Sequence, residues 1–208
     1  MPAPPEPPAA AAEGAVAAPV AKFVVTGGFG VGKTTLIGAV SEITPLRSET
    51  TMTQASTRTD HLTGVEGKTT TTTAMDFGRV TFTGPHPLKI YLFGTPGQER
   101  FHHVWKELAH GAVGTVVLVD TARLGDGFAP LDFAEELGIP FVIAVNEFTT
   151  AARRYPDGAV REALDLGPAV PLVRCDARNA RSAATVLATL VAHALNPTNP
   201  AQPAGVPL

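Results

Sequence analysis

The sequence predicts an α/β fold, a mostly parallel sheet of six strands with helices on both faces and one antiparallel strand at its edge. Three observations predict it. Short apolar runs alternate with helical stretches from residue 21 to about 195, the pattern of a sheet buried on both faces. One pair of strands, Thr73–Phe82 and Leu88–Phe93, is joined by the turn Gly84-Pro85-His86-Pro87 and reads as an antiparallel hairpin. The polar motifs follow strand ends, where ligands bind in such sheets.

Lys22–Thr26 reads as a buried first strand, and Thr35–Val40 as the first turns of a helix. Between them lies Gly27-Gly28-Phe29-Gly30-Val31-Gly32-Lys33-Thr34, with Gly27, Gly32, Lys33 and Thr34 in Walker A register. Glycines let successive backbone N–H groups turn inward around phosphate oxygens, and the helix N-terminus adds free donors. Lys33 would reach the β- and γ-phosphates and Thr34 would ligate Mg2+, with Thr35 completing the loop. A glycine-rich turn with no ligand is the bland alternative, and four matched positions in a strand–helix context argue against it.

From Ser41 to about Thr73 the periodicity is weak and threonines abound, the signature of a long loop, lid or switch. After the hairpin, Val104–Ala109 reads as a helix and Val113–Val119 as a strand. Leu131–Leu137 follows as a helix and Pro140–Val145 as a strand. Pro156 to about Leu166 is helical, Val170–Val173 is the last strand, and Arg181–Leu195 the last helix. His102-His103 are adjacent, so they face different directions and make a poor metal site. They read instead as surface or partner contacts, and Trp105 as packing. Asp120 at a strand end reads as a cap or core-edge residue.

Composition bounds the function. A chain of 208 residues with 44% hydrophobic content supports one domain, expected over 21–195. Residues 1–20 hold six prolines and eight alanines with no Lys or Arg, and 196–208 repeat that character. Both are expected to be disordered tails, the first a poor secretory signal. No lipidation motif is indicated at either end. A net charge of −3 gives no electrostatic case for nucleic acid, and no apolar run is long enough to insert in a membrane. One cysteine, Cys175, suits a reducing cytoplasm and reads as a small buried hydrophobe.

Taken together, Gly27–Thr35, Thr72–Phe77 and Gly94–Phe101 resemble the Ras-like small GTPases. Within them the chain is most similar to bacterial MglA-type proteins and the GTPase of actinobacterial conservon operons. The resemblance covers about residues 21–195. It places Thr72 as the switch I threonine on Mg2+ and the γ-phosphate, with Thr71 or Thr73 as alternatives in the threonine run. It places Gly97 as the γ-phosphate sensor and Gln98 as the residue orienting the attacking water. The switch II aspartate of the family is absent, since Gly94 stands there, a departure that MglA-type proteins share. The guanine motif aligns with Asn146-Glu147-Phe148-Thr149, keeping Asn146 but replacing the base-reading aspartate by Thr149. Loss of a charged acceptor would weaken base discrimination by one to two decades. A later motif aligns with Asp176-Ala177-Arg178, where the Ala177 N–H would meet the base oxygen and Arg178 pack on its face. Asp176 would then substitute for the missing carboxylate.

The resemblance implies a switch that binds GTP/GDP with Mg2+ and hydrolyses GTP slowly, with ATP left open. It also implies protein partners: a roadblock-type regulator, a GTPase-activating protein or an effector, with any membrane recruitment through them. A binding module without turnover is the second reading. A small-molecule kinase is the third, and 120–175 lacks the arginine cluster of a kinase lid. Arg100 beside Gln98 is a candidate cis arginine, though an exposed helix-start arginine is the more ordinary meaning.

Overall fold

The computed structural model describes residues 18–52, 71–98, 101–147 and 154–196. A seven-stranded sheet runs in the order β2-β3-β4-β1-β5-β6-β7. The strands are β1 (Val20–Gly27), β2 (Leu46–Met52), β3 (Thr71–Phe82), β4 (Leu88–Gly94), β5 (Gly114–Val119), β6 (Phe141–Asn146) and β7 (Leu172–Cys175). The helices are α1 (Lys33–Val40), α2 (His102–Ala109), α3 (Phe128–Glu136), α4 (Asp157–Ala163) and α5 (Ala180–Ala194), with a 3-10 helix over Thr121–Gly127.

All six expected strands are present, and β2 adds a seventh beyond them. It comes from the threonine-rich stretch expected to be a loop, and it pairs antiparallel with β3 from Leu46↔Phe77 to Met52↔Thr71. The antiparallel strand β3 is therefore next to the edge, not at it. Five strands, β4-β1-β5-β6-β7, run parallel. The rest of the expected loop, the leader to residue 17 and the tail from 197 lie outside the described residues, as do Arg100 and Thr149.

Strand β5 shows why the sheet must be covered twice. Every residue from Gly114 to Val119 is buried. Val116 and Leu118 pack with Leu36 and Ile37 of α1 and with Val186, Leu187 and Leu190 of α5. Val117 and Val119 face the other way, against Leu131 and Ala134 of α3 and Val160 of α4. A strand's alternation thus sends successive side chains into two cores, and a continuous apolar run results. A smaller cluster joins Val24, Trp105, Ala109 and Phe133. His102 completes it, its ring 5.3 Å from Trp105 and 5.5 Å from Phe133. That histidine is part of an aromatic cluster, not the purely surface residue expected, while Trp105 packs as its spacing suggested.

Candidate phosphate-binding site

The P-loop is the turn between β1 and α1. Gly32 caps α1 in the left-handed region, with φ 107°, and as a glycine it offers no side-chain cap to the first-turn N–H groups. Those amides are left for a ligand in the bend, where the helix dipole also favours an anion.

Lys33 is buried and its Nζ donates to the carbonyls of Gly27 at 2.7 Å and Gly28 at 2.8 Å. Burial lowers its pKa from 10.5 to about 8, and the Asp76 carboxylate offsets part of that fall. A pH dependence follows. Below about pH 8 the ammonium is charged with or without ligand. Above it the free protein has lost a proton that phosphates would draw back. Affinity for a triphosphate is therefore expected to fall about tenfold per pH unit above pH 8. Titrations at pH 7, 8 and 9 check this, and a flat profile refutes it.

Thr34 Oγ1 donates to the Asp76 carboxylate. Asp76 is buried, and its place in the sheet answers the missing switch II aspartate. On β3 it stands directly opposite Gly94 of β4. A Cβ at Gly94 would lie 3.2 Å from Asp76 Cβ, 3.4 Å from Asp76 Oδ2 and 3.0 Å from Ile37 Cδ1. The acid comes from the neighbouring strand and fills the space that a carboxylate at position 94 would need. Asp76 lies in the Thr72–Phe77 stretch of the resemblance, which gave it no part in holding the metal.

The next segment lies on the P-loop itself. A Cβ at Gly97 would be 2.7 Å from Phe29 Cα and 2.8 Å from Lys33 Nζ, so no side chain fits there. This segment is held from behind. Thr95 N–H donates to Val25 O at 2.9 Å, and the buried Trp105 indole N–H donates to Pro96 O at 2.8 Å. Gln98 is exposed, with its carbonyl accepting from Phe101 N–H at 3.0 Å. Thr72 lies on β3 opposite Thr51.

Asn146 is buried at the end of β6. Its Nδ2 donates to Val31 O at 2.9 Å, and its Oδ1 accepts from Ala177 N–H at 2.9 Å. It ties the P-loop to the turn after β7, a role that sequence reading missed by treating it only as a base contact. The Ala177 N–H expected to meet a base oxygen is engaged there. Asp176 accepts from Arg178 Nε and Nη2, both at 2.8 Å, and from its backbone N–H at 3.0 Å. The Arg178 side chain lowers the Asp176 pKa to about 2. Glu147 pairs with Arg174 at 2.7 Å and Arg154 at 2.9 Å. Arg174 also reaches Asp157. Asp120 caps the 3-10 helix, accepting from Ala122 N–H at 2.8 Å. Burial pushes the Cys175 thiol up to about 12, the state of an inert core residue.

Among the described residues no cluster of three or more His, Cys, Asp or Glu side chains forms a metal cage. A nucleotide-borne Mg2+ needs only one or two protein oxygens. The Thr34 hydroxyl and Asp76 carboxylate, already in contact, fit such an ion. Among the described residues no helix is long and apolar enough to cross a membrane.

No curated protein matches the chain. One family, described as a conserved hypothetical ATP binding protein, matches residues 25–197. That span begins within β1, takes in the phosphate loop, Asp76, Asn146 and Asp176, and ends just past α5, and this chain belongs to that family.

Proposed function

We propose that the chain is a Mg2+-dependent P-loop nucleoside triphosphatase, working as a switch, whose base site takes ATP as well as GTP. The observation that carries this is the Asp76 carboxylate on Thr34 Oγ1 beside Lys33, at the foot of the amide-lined loop. Lys33 would hold the β- and γ-phosphates, and Thr34 and Asp76 the metal, which when bound neutralises phosphate charge. Thr72 and Gly97 would meet the γ-phosphate, and Gln98 would orient the water. Release of those two segments after hydrolysis is the switch.

The base site supports dual use. Guanine selection needs a carboxylate for the base's two donors and an N–H for its oxygen. Here Asp176 already accepts three hydrogen bonds from Arg178, and the Ala177 N–H is committed to Asn146. The family's description as ATP-binding agrees. A strictly guanine-specific switch of the small GTPase kind, with roadblock-type partners, is the second reading. Gly94-Thr95-Pro96-Gly97-Gln98 favours it.

Competition of ATP and GTP against a fluorescent triphosphate, with Mg2+, decides between them. Affinities within about tenfold are expected. A preference for GTP above about a hundredfold, near 2.8 kcal/mol, refutes dual use.

A further inference from the structure

The 3-10 helix after β5 is built against the P-loop. A Cβ at Gly28 would lie 2.6 Å from Asp126 Cβ and 3.0 Å from the Asp126 carbonyl oxygen. Only glycine lets loop and helix approach so closely. From this helix Arg123 reaches back over the loop. Its Nη1 donates to Phe29 O at 3.2 Å, and its Nη2 lies 3.7 Å from where a Cβ on Gly30 would be. The backbone at Arg123 leaves helical geometry, with φ −139° and ψ 50°, inside an otherwise 3-10 segment.

What holds the guanidinium is weak. Asp120 and Asp126 flank it at 3.5 and 3.7 Å, and its side chain is 48% exposed. Ion pairs that long, made by a guanidinium half in solvent, are screened by water and hold it only weakly. Its remaining acceptor is a neutral carbonyl. A phosphate oxygen is a far better one, since hydrogen bonds between ionised partners are roughly twice as strong. Other arginines are engaged away from the loop: Arg79 with Glu42, Arg174 with Glu147 and Asp157, Arg178 with Asp176.

We infer that Arg123 is an arginine this chain supplies to its own phosphate site, exchanging the Phe29 carbonyl for the oxygens of the terminal phosphate during hydrolysis. This rests on the triphosphatase reading above. In the step, a water oxygen bonds to the γ-phosphorus as the bond to the β–γ bridging oxygen breaks. The electron pair of that bond stays on the diphosphate, and the water's proton ends on the released phosphate. Arg123 transfers no proton, because a guanidinium stays charged. It places N–H donors where negative charge gathers, the term that dominates such reactions.

The test is single-turnover phosphate release from Mg-ATP and Mg-GTP, with affinity measured separately by titration of a non-hydrolysable analogue. Arg123→Ala is expected to lower the rate constant at least about a hundredfold while changing affinity less than about fivefold. Arg123→Lys keeps the charge but not the fork, and is expected to recover little of the rate. If Arg123→Ala misfolds, Arg123→Lys is read in its place. Wild-type turnover with either folded variant unchanged overturns this role alone. Equal losses of affinity and rate also overturn it, since they indicate a prop for the loop. A wild type that binds without turnover overturns both this role and the hydrolysis, and leaves nucleotide binding standing.

Discussion

Asp76→Asn is expected to remove most of the Mg2+-dependent part of triphosphate affinity, about ten- to a hundredfold, and to leave metal-free binding nearly unchanged. The substitution keeps the side chain's shape and takes away its charge. Hydrogen bonds to charged groups contribute about 1.5–3 kcal/mol, which sets the scale. Asp76 is buried, accepts from the Thr34 hydroxyl and raises the Lys33 pKa against burial. Its loss takes the charged oxygen away from the metal site while leaving Lys33 in place. A second variant tests whether position matters or only charge. Because Gly94 faces Asp76 across the β3–β4 pair, Gly94→Asp in an Asp76→Ala background moves the acid to the strand end that small GTPases use. Partial recovery of the Mg2+ effect is expected. Titrations with and without Mg2+ read both results, and an unchanged Mg2+ effect in Asp76→Asn refutes the assignment.

Asn146→Ala is expected to lower stability by about 2–4 kcal/mol, the largest stability effect expected from one side chain at this site. Two buried backbone groups lose their partners at once, the Val31 carbonyl and the Ala177 N–H. Each unsatisfied buried group costs about 1–3 kcal/mol. The same side chain joins the P-loop to the turn after β7, so nucleotide affinity should fall more than tenfold as well. Urea unfolding gives the first number and titration the second. A loss under about 1 kcal/mol means that water replaces the amide and that the tie carries little.

Much of this was legible along the chain, and what was not depends on register and tertiary contact. The Walker A stretch, the hairpin and the buried runs are local patterns, and the strands fall within a few residues of where periodicity puts them. Strand β2 was not legible because Leu46–Met52 gains its order from pairing with β3. Its polar, threonine-rich residues read as loop. Asp76 was legible in principle. Counting back from the turn at Gly84–His86 along two paired strands puts it opposite Gly94, but a motif search looks along one strand for the acid. The second role of Asn146 and the reach of Arg123 join residues about a hundred positions apart. No pattern in either neighbourhood carries that information.

The central claim is that the bend between β1 and α1 grips a chain of phosphates with Lys33 as its cation. Calorimetric titration with Mg-ATP and Mg-GTP tests it most directly, run beside Lys33→Ala. Uptake of one nucleotide per chain, with affinity reduced at least a hundredfold in the variant, is the expected result. Heat of binding that is absent in the wild type, or identical in Lys33→Ala, contradicts it.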